Sequence, residues 1–182
     1  KEKKNYNNLS DLKNDIIKKI PENLNNYETI LGEPIFINQF RLSKFIKKDF
    51  IKIVKNPSLL FNKEKRNIKF HFDLMHGDGN LDKAINCLHK KDQEDFRKYM
   101  LDNVSFHPHI MFITKSHIAE KWFTDLFDWL FKCEKIFGFE NLKGYETTRL
   151  YAYLAERYLS FWFTKYTKYK NLSWILCDMS EK

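Results

Sequence analysis

The chain has little that could cross-link it or hold a metal through sulfur. Its three cysteines, Cys87, Cys133 and Cys177, are an odd number at wide spacing with no CxxC pair. That excludes a zinc framework and fits reduced thiols in the core of a cytoplasmic protein. Long apolar runs are also missing. "SFWFT" and "WILC" are too short to span a bilayer, and no charged-then-apolar leader precedes them. No GxSxG, HExxH, Walker or GxGxxG sequence occurs, so the commonest hydrolase, metalloprotease and nucleotide-loop signatures are absent. There is no internal repeat, and no low-complexity tract beyond a Lys/Asn-rich start. The Asn-X-Ser sequences at Asn8 and Asn171 mean little in a cytoplasmic protein.

What is present points to a folded domain. An aromatic share of 16% and a hydrophobic share of 43% exceed what a disordered chain carries, even with 31% charged residues. At 182 residues one core is expected, so residues 1–182 read as a single domain, with a polar linker at 1–9. The chain opens on Lys1 rather than Met, as one part of a longer protein would. A formal net charge of +8 invites a nucleic-acid reading. The lysines, however, are spread along the chain with abundant Asn, Ile, Phe and Tyr, the usage of an AT-rich coding sequence, so no nucleic-acid partner is expected.

Periodicity divides the chain. Leu12, Ile16, Ile17 and Ile20 predict a short amphipathic helix between Ser10 and Pro21. A Gly-Glu-Pro turn then leads to a predicted strand at Ile35–Asn38. "SKFIKKDFIKIV" places Phe45, Ile46, Phe50, Ile53 and Val54 on one helical face, and a polar loop precedes the apolar "IKFHFDLM". "HGDGN", residues 76–80, is a turn by its Gly and Asp content, with two helices expected near 81–90 and 92–103. "HIMFIT", residues 109–114, reads as a strand covered on both faces. Ser116 is a cap candidate for a long helix with Ile118, Trp122, Leu126, Trp129 and Leu130 inward. "LSWILC" predicts one more strand. The fold class expected is α/β, helix-rich, with a small sheet.

Three places could carry chemistry. In "YETTRLYAYLAERYLSFWF", residues 145–163, apolar residues occupy almost every side, yet Arg149 and Glu156 return to one face about 10 Å apart along the axis. Tyr153 and Ser160 fall near the same stripe. Desolvating a carboxylate is costly unless something pairs with it, so the stripe is either an internal ion pair or the lining of a cleft. In "HGDGN", His76 and Asp78 could approach a phosphate or a divalent metal closely, although a turn with a polar tip needs no function. In "FHPHIMF", His107 and His109 are two apart and would share a face in extended chain, as chelating imidazoles could, but no third ligand is evident.

Read in order, "FHFDLMHGDGNLDKA", "HIMFITKSHIAEKWFTDLFDWLFKCEK" and "YETTRLYAYLAERYLSFWF" resemble the C-terminal part of the family catalogued as domain of unknown function 4422, associated with bacterial capsular and exopolysaccharide glycosyltransferases. Phe72 and His76 fall on its aromatic and His positions. His109 to Ile113, Trp129 to Phe131 with Glu134, and Arg149 to Tyr158 fall on its later motifs. His109, Ala152, Tyr153, Ala155 and Tyr158 stand where the family has Asn, Gly, Phe, Ser and Leu. The likeness covers residues 68–165 best, and the family's early motifs do not occur in these residues. The resemblance implies the C-terminal part of a GT-A-like glycosyltransferase domain, a divergent or truncated member with part of its nucleotide-sugar site elsewhere. It would use a nucleotide-sugar donor and a glycan acceptor to build capsular or surface polysaccharide in the cytoplasm, at the inner face of the membrane. Peripheral membrane association and contact with other domains of the same polypeptide would follow. Such chemistry needs a carboxylate base and positive charge for the leaving diphosphate. Glu156 is then the candidate base. Arg149, Arg157, His76, Asp78 and Tyr153 are the candidates for substrate and diphosphate, and a divalent Mg or Mn, with His76 or His109 as a weak ligand, is the implied cofactor. The competing reading is a non-catalytic docking or carbohydrate-binding module of a larger synthase.

Overall fold

A computed structural model describes Lys13 and residues 25–174. The predicted Ser10–Pro21 helix, Cys177 and the "ILC" of the last predicted strand lie outside the described residues. The elements run β1 (Thr29–Gly32), β2 (Ile35–Phe36), α1 (Leu42–Lys48), α2 (Phe50–Lys55), α3 (Ser58–Phe61), α4 (Ile68–His76), α5 (Asn80–Ile85) and α6 (Lys90–Asp102). They continue through β3 (Ser105–Phe106), β4 (Phe112–Thr114), α7 (Ser116–Phe137), α8 (Tyr145–Thr148), α9 (Leu150–Tyr166) and β5 (Tyr169–Leu172). The fold is α/β and rich in helix, with one small mixed sheet.

In that sheet β1 is central, antiparallel to β4 (Ile30 opposite Ile113) and parallel to β5 (Ile30 opposite Lys170). Centrality buries Thr29, Ile30 and Leu31. Sequence periodicity misses this strand, because "TILG" is too short to alternate. β4 is instead an edge strand, which corrects the expectation of a strand covered on both faces: Ile113 is 49% exposed. A second pair, β2 with β3, sets Ile35 opposite Phe106. The predicted strand at Ile35–Asn38 is only half extended, since Ile37–Gln39 closes as a 3-10 turn.

Helical periodicity is most faithful in α7, where Ile118, Trp122, Leu126 and Trp129 are buried at spacings of three and four, and Leu130 packs beside them. Ser116 is this helix's first residue, and no side chain caps it. The Trp129 indole donates to the Ala84 carbonyl at 2.7 Å, tying α7 to α5. Cys133, also buried, meets Cys87 at that junction, and burial pushes both thiols above the ordinary range. Asn67 caps α4 by accepting from the Phe70 N–H.

Two expected single helices are broken. The first divides at Asp49, whose φ of −153° is not helical. Phe45 and Ile53 turn inward while Ile46, Phe50 and Val54 remain outside, so these five do not share a buried face. The second divides at Arg149. The Thr148 hydroxyl donates to the Gly144 and Tyr145 carbonyls (2.9 and 3.3 Å), and the Arg149 N–H turns to Thr147 instead. Beyond that joint α9 is largely buried, continuously from Arg157 to Phe163.

Candidate active site around Glu156

α9 presents Glu156 and Arg157 to two partners from distant sequence. The Arg157 guanidinium is 1% exposed and lies 3.5 Å from the centre of the Phe106 ring on β3, with Phe72 of α4 at 5.8 Å. Its Nη1 donates to Glu156 Oε2 at 3.1 Å, and its Nη2 donates to His71 Nδ1 at 3.3 Å. Nε is buried without a protein partner. Burial lowers the Arg157 pKa to about 10, and the neighbouring Glu156 carboxylate opposes that fall. It is still a cation near neutral pH, and Glu156 is its counter-ion.

Glu156 keeps 17% of its side chain exposed. Its other oxygen, Oε1, accepts the backbone N–H of His109 at 3.1 Å. His109 has φ 61°, the left-handed conformation that a residue with a Cβ seldom adopts. The carboxylate therefore pins the loop before β4 while presenting an edge to solvent. Glu156 is paired with Arg157 rather than with Arg149, and Ser160 of the same stripe is buried.

Arg149 is exposed and lies over two tyrosine rings, Tyr145 at 5.3 Å and Tyr153 at 5.4 Å, with Nη1 donating to the Tyr145 hydroxyl at 2.5 Å. Tyr153 in turn stacks on the His76 ring, centroids 3.9 Å apart and planes 21° apart. Three candidates, Arg149, Tyr153 and His76, thus form one stack beside Glu156, which sits one helical turn beyond Tyr153 on α9.

His76 is buried, and its Nδ1 donates to the Glu146 carbonyl at 3.2 Å. Burial, aided by Arg157 and Lys48, lowers its pKa to about 3, so the ring is neutral. Lys48 of α1 pairs with the Glu146 carboxylate and closes this side of the site. His76 therefore acts here as an apolar and hydrogen-bonding plate, not as a cation for phosphate. Asp78 lies on the exposed Gly77–Gly79 turn. Both glycines have positive φ, which accounts for "HGDGN" as chain reversal between α4 and α5.

His107 and His109 do not converge. His107 is buried, donates its N–H to Ser160 Oγ at 2.8 Å and its Nε2 to Asn171 Oδ1 at 3.0 Å; the His109 ring meets Trp174 edge-on. Among the described residues no three His, Cys, Asp or Glu side chains gather as a cation would require. His76 in particular faces Arg157 and Lys48, so these residues do not fit a divalent metal.

His71 and Phe106 are the members that sequence reasoning missed. His71 is three residues after the buried Ile68 on the inner face of α4, so a histidine in an apolar stripe was the available signal. Burial first, then Arg157, holds its pKa well below the usual histidine range, consistent with Nδ1 accepting from the guanidinium. A hollow of about 300 Å³ between α6 and α9, lined by Asp95, Lys98, Tyr99, Phe161 and Thr164, holds none of the candidates.

No curated protein and no solved structure matches the chain. One family does match, over residues 18–168, so the match begins well before the segment 68–165 on which the resemblance rests most heavily. The matched residues include the stack and the Glu156–Arg157 pair, and the chain belongs to that family, the domain of unknown function DUF4422.

Proposed function

We propose that the chain is a glycosyltransferase, or the acceptor-side portion of one, that transfers a sugar from a nucleotide-sugar donor during synthesis of a bacterial capsular or surface polysaccharide. The observation that carries the reading is the setting of Glu156: a carboxylate, partly open to solvent, held at both oxygens by Arg157 Nη1 and the His109 N–H. A base that removes a proton from an acceptor hydroxyl needs this fixed direction.

Arg157 is a positioning residue in this scheme, since its burial keeps it from substrate. Arg149 is the exposed cation, and with Tyr145 and Tyr153 it offers a flat, positively charged platform for a diphosphate or a sugar ring. A divalent metal, where the reaction uses one, would draw its ligands from beyond this stack. The test is donor turnover by the full-length protein. Glu156→Gln should abolish transfer while preserving the fold, and unchanged turnover would sink the assignment.

A second reading, a non-catalytic carbohydrate-binding module, is favoured by Tyr145, 71% exposed and braced by Arg149. It expects glycan binding that survives Glu156→Gln and is lost in Tyr145→Ala, without turnover in either protein.

A further inference from the structure

Lysines occur along the whole chain, but acidic residues offset them unevenly, so the eight net positive charges are concentrated. Residues 41–66 hold nine Lys and Arg against two Asp and Glu, so seven of the chain's eight net charges come from these 26 residues. The same stretch forms α1, α2 and α3, each of which sends one residue into the core: Phe45, Ile53 and Leu59. Outside they leave large apolar side chains uncovered. Phe50 is 64% exposed, Ile51 66%, Val54 58% and Phe61 86%.

Such exposure could be accidental at a fraying end, but this one is built. Arg66 is 3% exposed and donates to the last carbonyls of α3, Nε to Leu59 at 2.7 Å and Nη2 to Leu60 at 2.9 Å. A buried guanidinium thus fixes the helix whose final residue, Phe61, stands in water. Lys65 adds a bond to Ser58 at its other end. Exposed lysines surround the apolar tips, Lys44 and Lys47 on α1, Lys55 at the end of α2, and Lys63 after α3.

We propose that the face formed by residues 41–66 docks on an anionic lipid bilayer, with Phe50, Ile51, Val54 and Phe61 entering the headgroup–acyl boundary and the lysines meeting lipid phosphates. Apolar tips ringed by basic residues match a surface that is negative outside and apolar just beneath. A nucleic acid would satisfy the lysines but leave Ile51 and Val54 desolvated against phosphate, since aliphatic side chains have no face on which bases stack. Lys48 of this stretch turns to Glu146, but the apolar tips take no part in holding Glu156, so the proposal stands whether or not the site transfers sugar.

The experiment is co-sedimentation of the full chain with vesicles of phosphatidylcholine containing about one third phosphatidylglycerol, beside pure phosphatidylcholine vesicles and a short DNA duplex. The mixed vesicles should bind the protein, and salt should weaken that binding. Phe50→Ser with Phe61→Ser should lower the partition constant by about tenfold or more. Lys47→Gln with Lys55→Gln should lower it by about fivefold per charge, and this pair still tests the proposal should the serine variant misfold. Phe127→Ser, an exposed aromatic on α7, should change nothing. The proposal is overturned by equal binding to neutral vesicles or by no binding at all. Partition that ignores the serine substitutions, and a DNA affinity exceeding that for the mixed vesicles, each overturn it as well.

Discussion

The carboxylate of Glu156 accepts the backbone N–H of His109, a residue 47 positions earlier whose φ is +61°. A side chain on a buried helix thereby holds a strained loop residue in place, and Arg157 holds that side chain from the other side. Glu156 has a structural duty whatever its chemistry.

That duty sets the first prediction. Glu156→Ala leaves a 1%-exposed guanidinium without its counter-ion, and losing one partner of a buried pair costs about 3–5 kcal/mol. Glu156→Gln fills the same space and keeps one acceptor oxygen, for either the His109 N–H or Arg157 but not both, and so should cost less than Glu156→Ala. Urea unfolding of the two variants checks the order; equal stability of both with the unchanged protein would mean that the pair contributes nothing.

Substitution at His109 reads the strain directly. Glycine adopts positive φ freely, so His109→Gly should be neutral or slightly stabilising despite the lost contact with Trp174. His109→Val places a β-branched residue in the left-handed region and should cost about 1–2 kcal/mol. Thermal unfolding of the pair should rank Gly above Val, and the reverse ranking would contradict the loop conformation.

How much of this was legible in the residues depends on how local each contact is. α7 could be read because Ile118, Trp122, Leu126 and Trp129 repeat within one helix. β1 could not, since its burial comes from neighbours more than 80 residues away, β4 and β5. Arg149, Tyr153 and Glu156 were visible as a polar stripe, but the break at Arg149 depends on a hydroxyl bond that periodicity does not encode. Arg157, a candidate either to orient Glu156 or to balance phosphate, bonds to Glu156 and lies against Phe106, and nothing in the sequence around residue 157 announces an aromatic ring 51 residues earlier.

"HGDGN" supports a third prediction. A Cβ on Gly77 (φ 99°) would come within 2.5 Å of the Asn80 side-chain nitrogen, which itself donates to the His76 carbonyl at 2.8 Å. Gly77→Ala should therefore cost about 1–3 kcal/mol, combining conformational strain with loss of that bond. Gly79 also has positive φ but open space around it, so Gly79→Ala should cost less. Chemical denaturation of the two variants decides whether the turn is held as described.

Acid should loosen the site before it protonates ordinary carboxylates. The folded pKa of His76 is lowered to about 3 by burial, by Arg157 and by Lys48, and burial also holds His71 and His107 below the usual value. A histidine with a depressed folded pKa contributes stability above its unfolded pKa near 6.5, and loses it as pH falls towards the folded value, because the unfolded chain binds the extra proton. Thermal stability should therefore decline from about pH 6.5 to pH 5, a window in which unperturbed carboxylates contribute little. His76→Phe keeps a flat ring for Tyr153 to stack on and removes one titrating group, so its decline should be shallower. A melting temperature that stays constant across this window, or an unchanged slope in His76→Phe, would show that the ring is not held neutral between Tyr153 and Phe72.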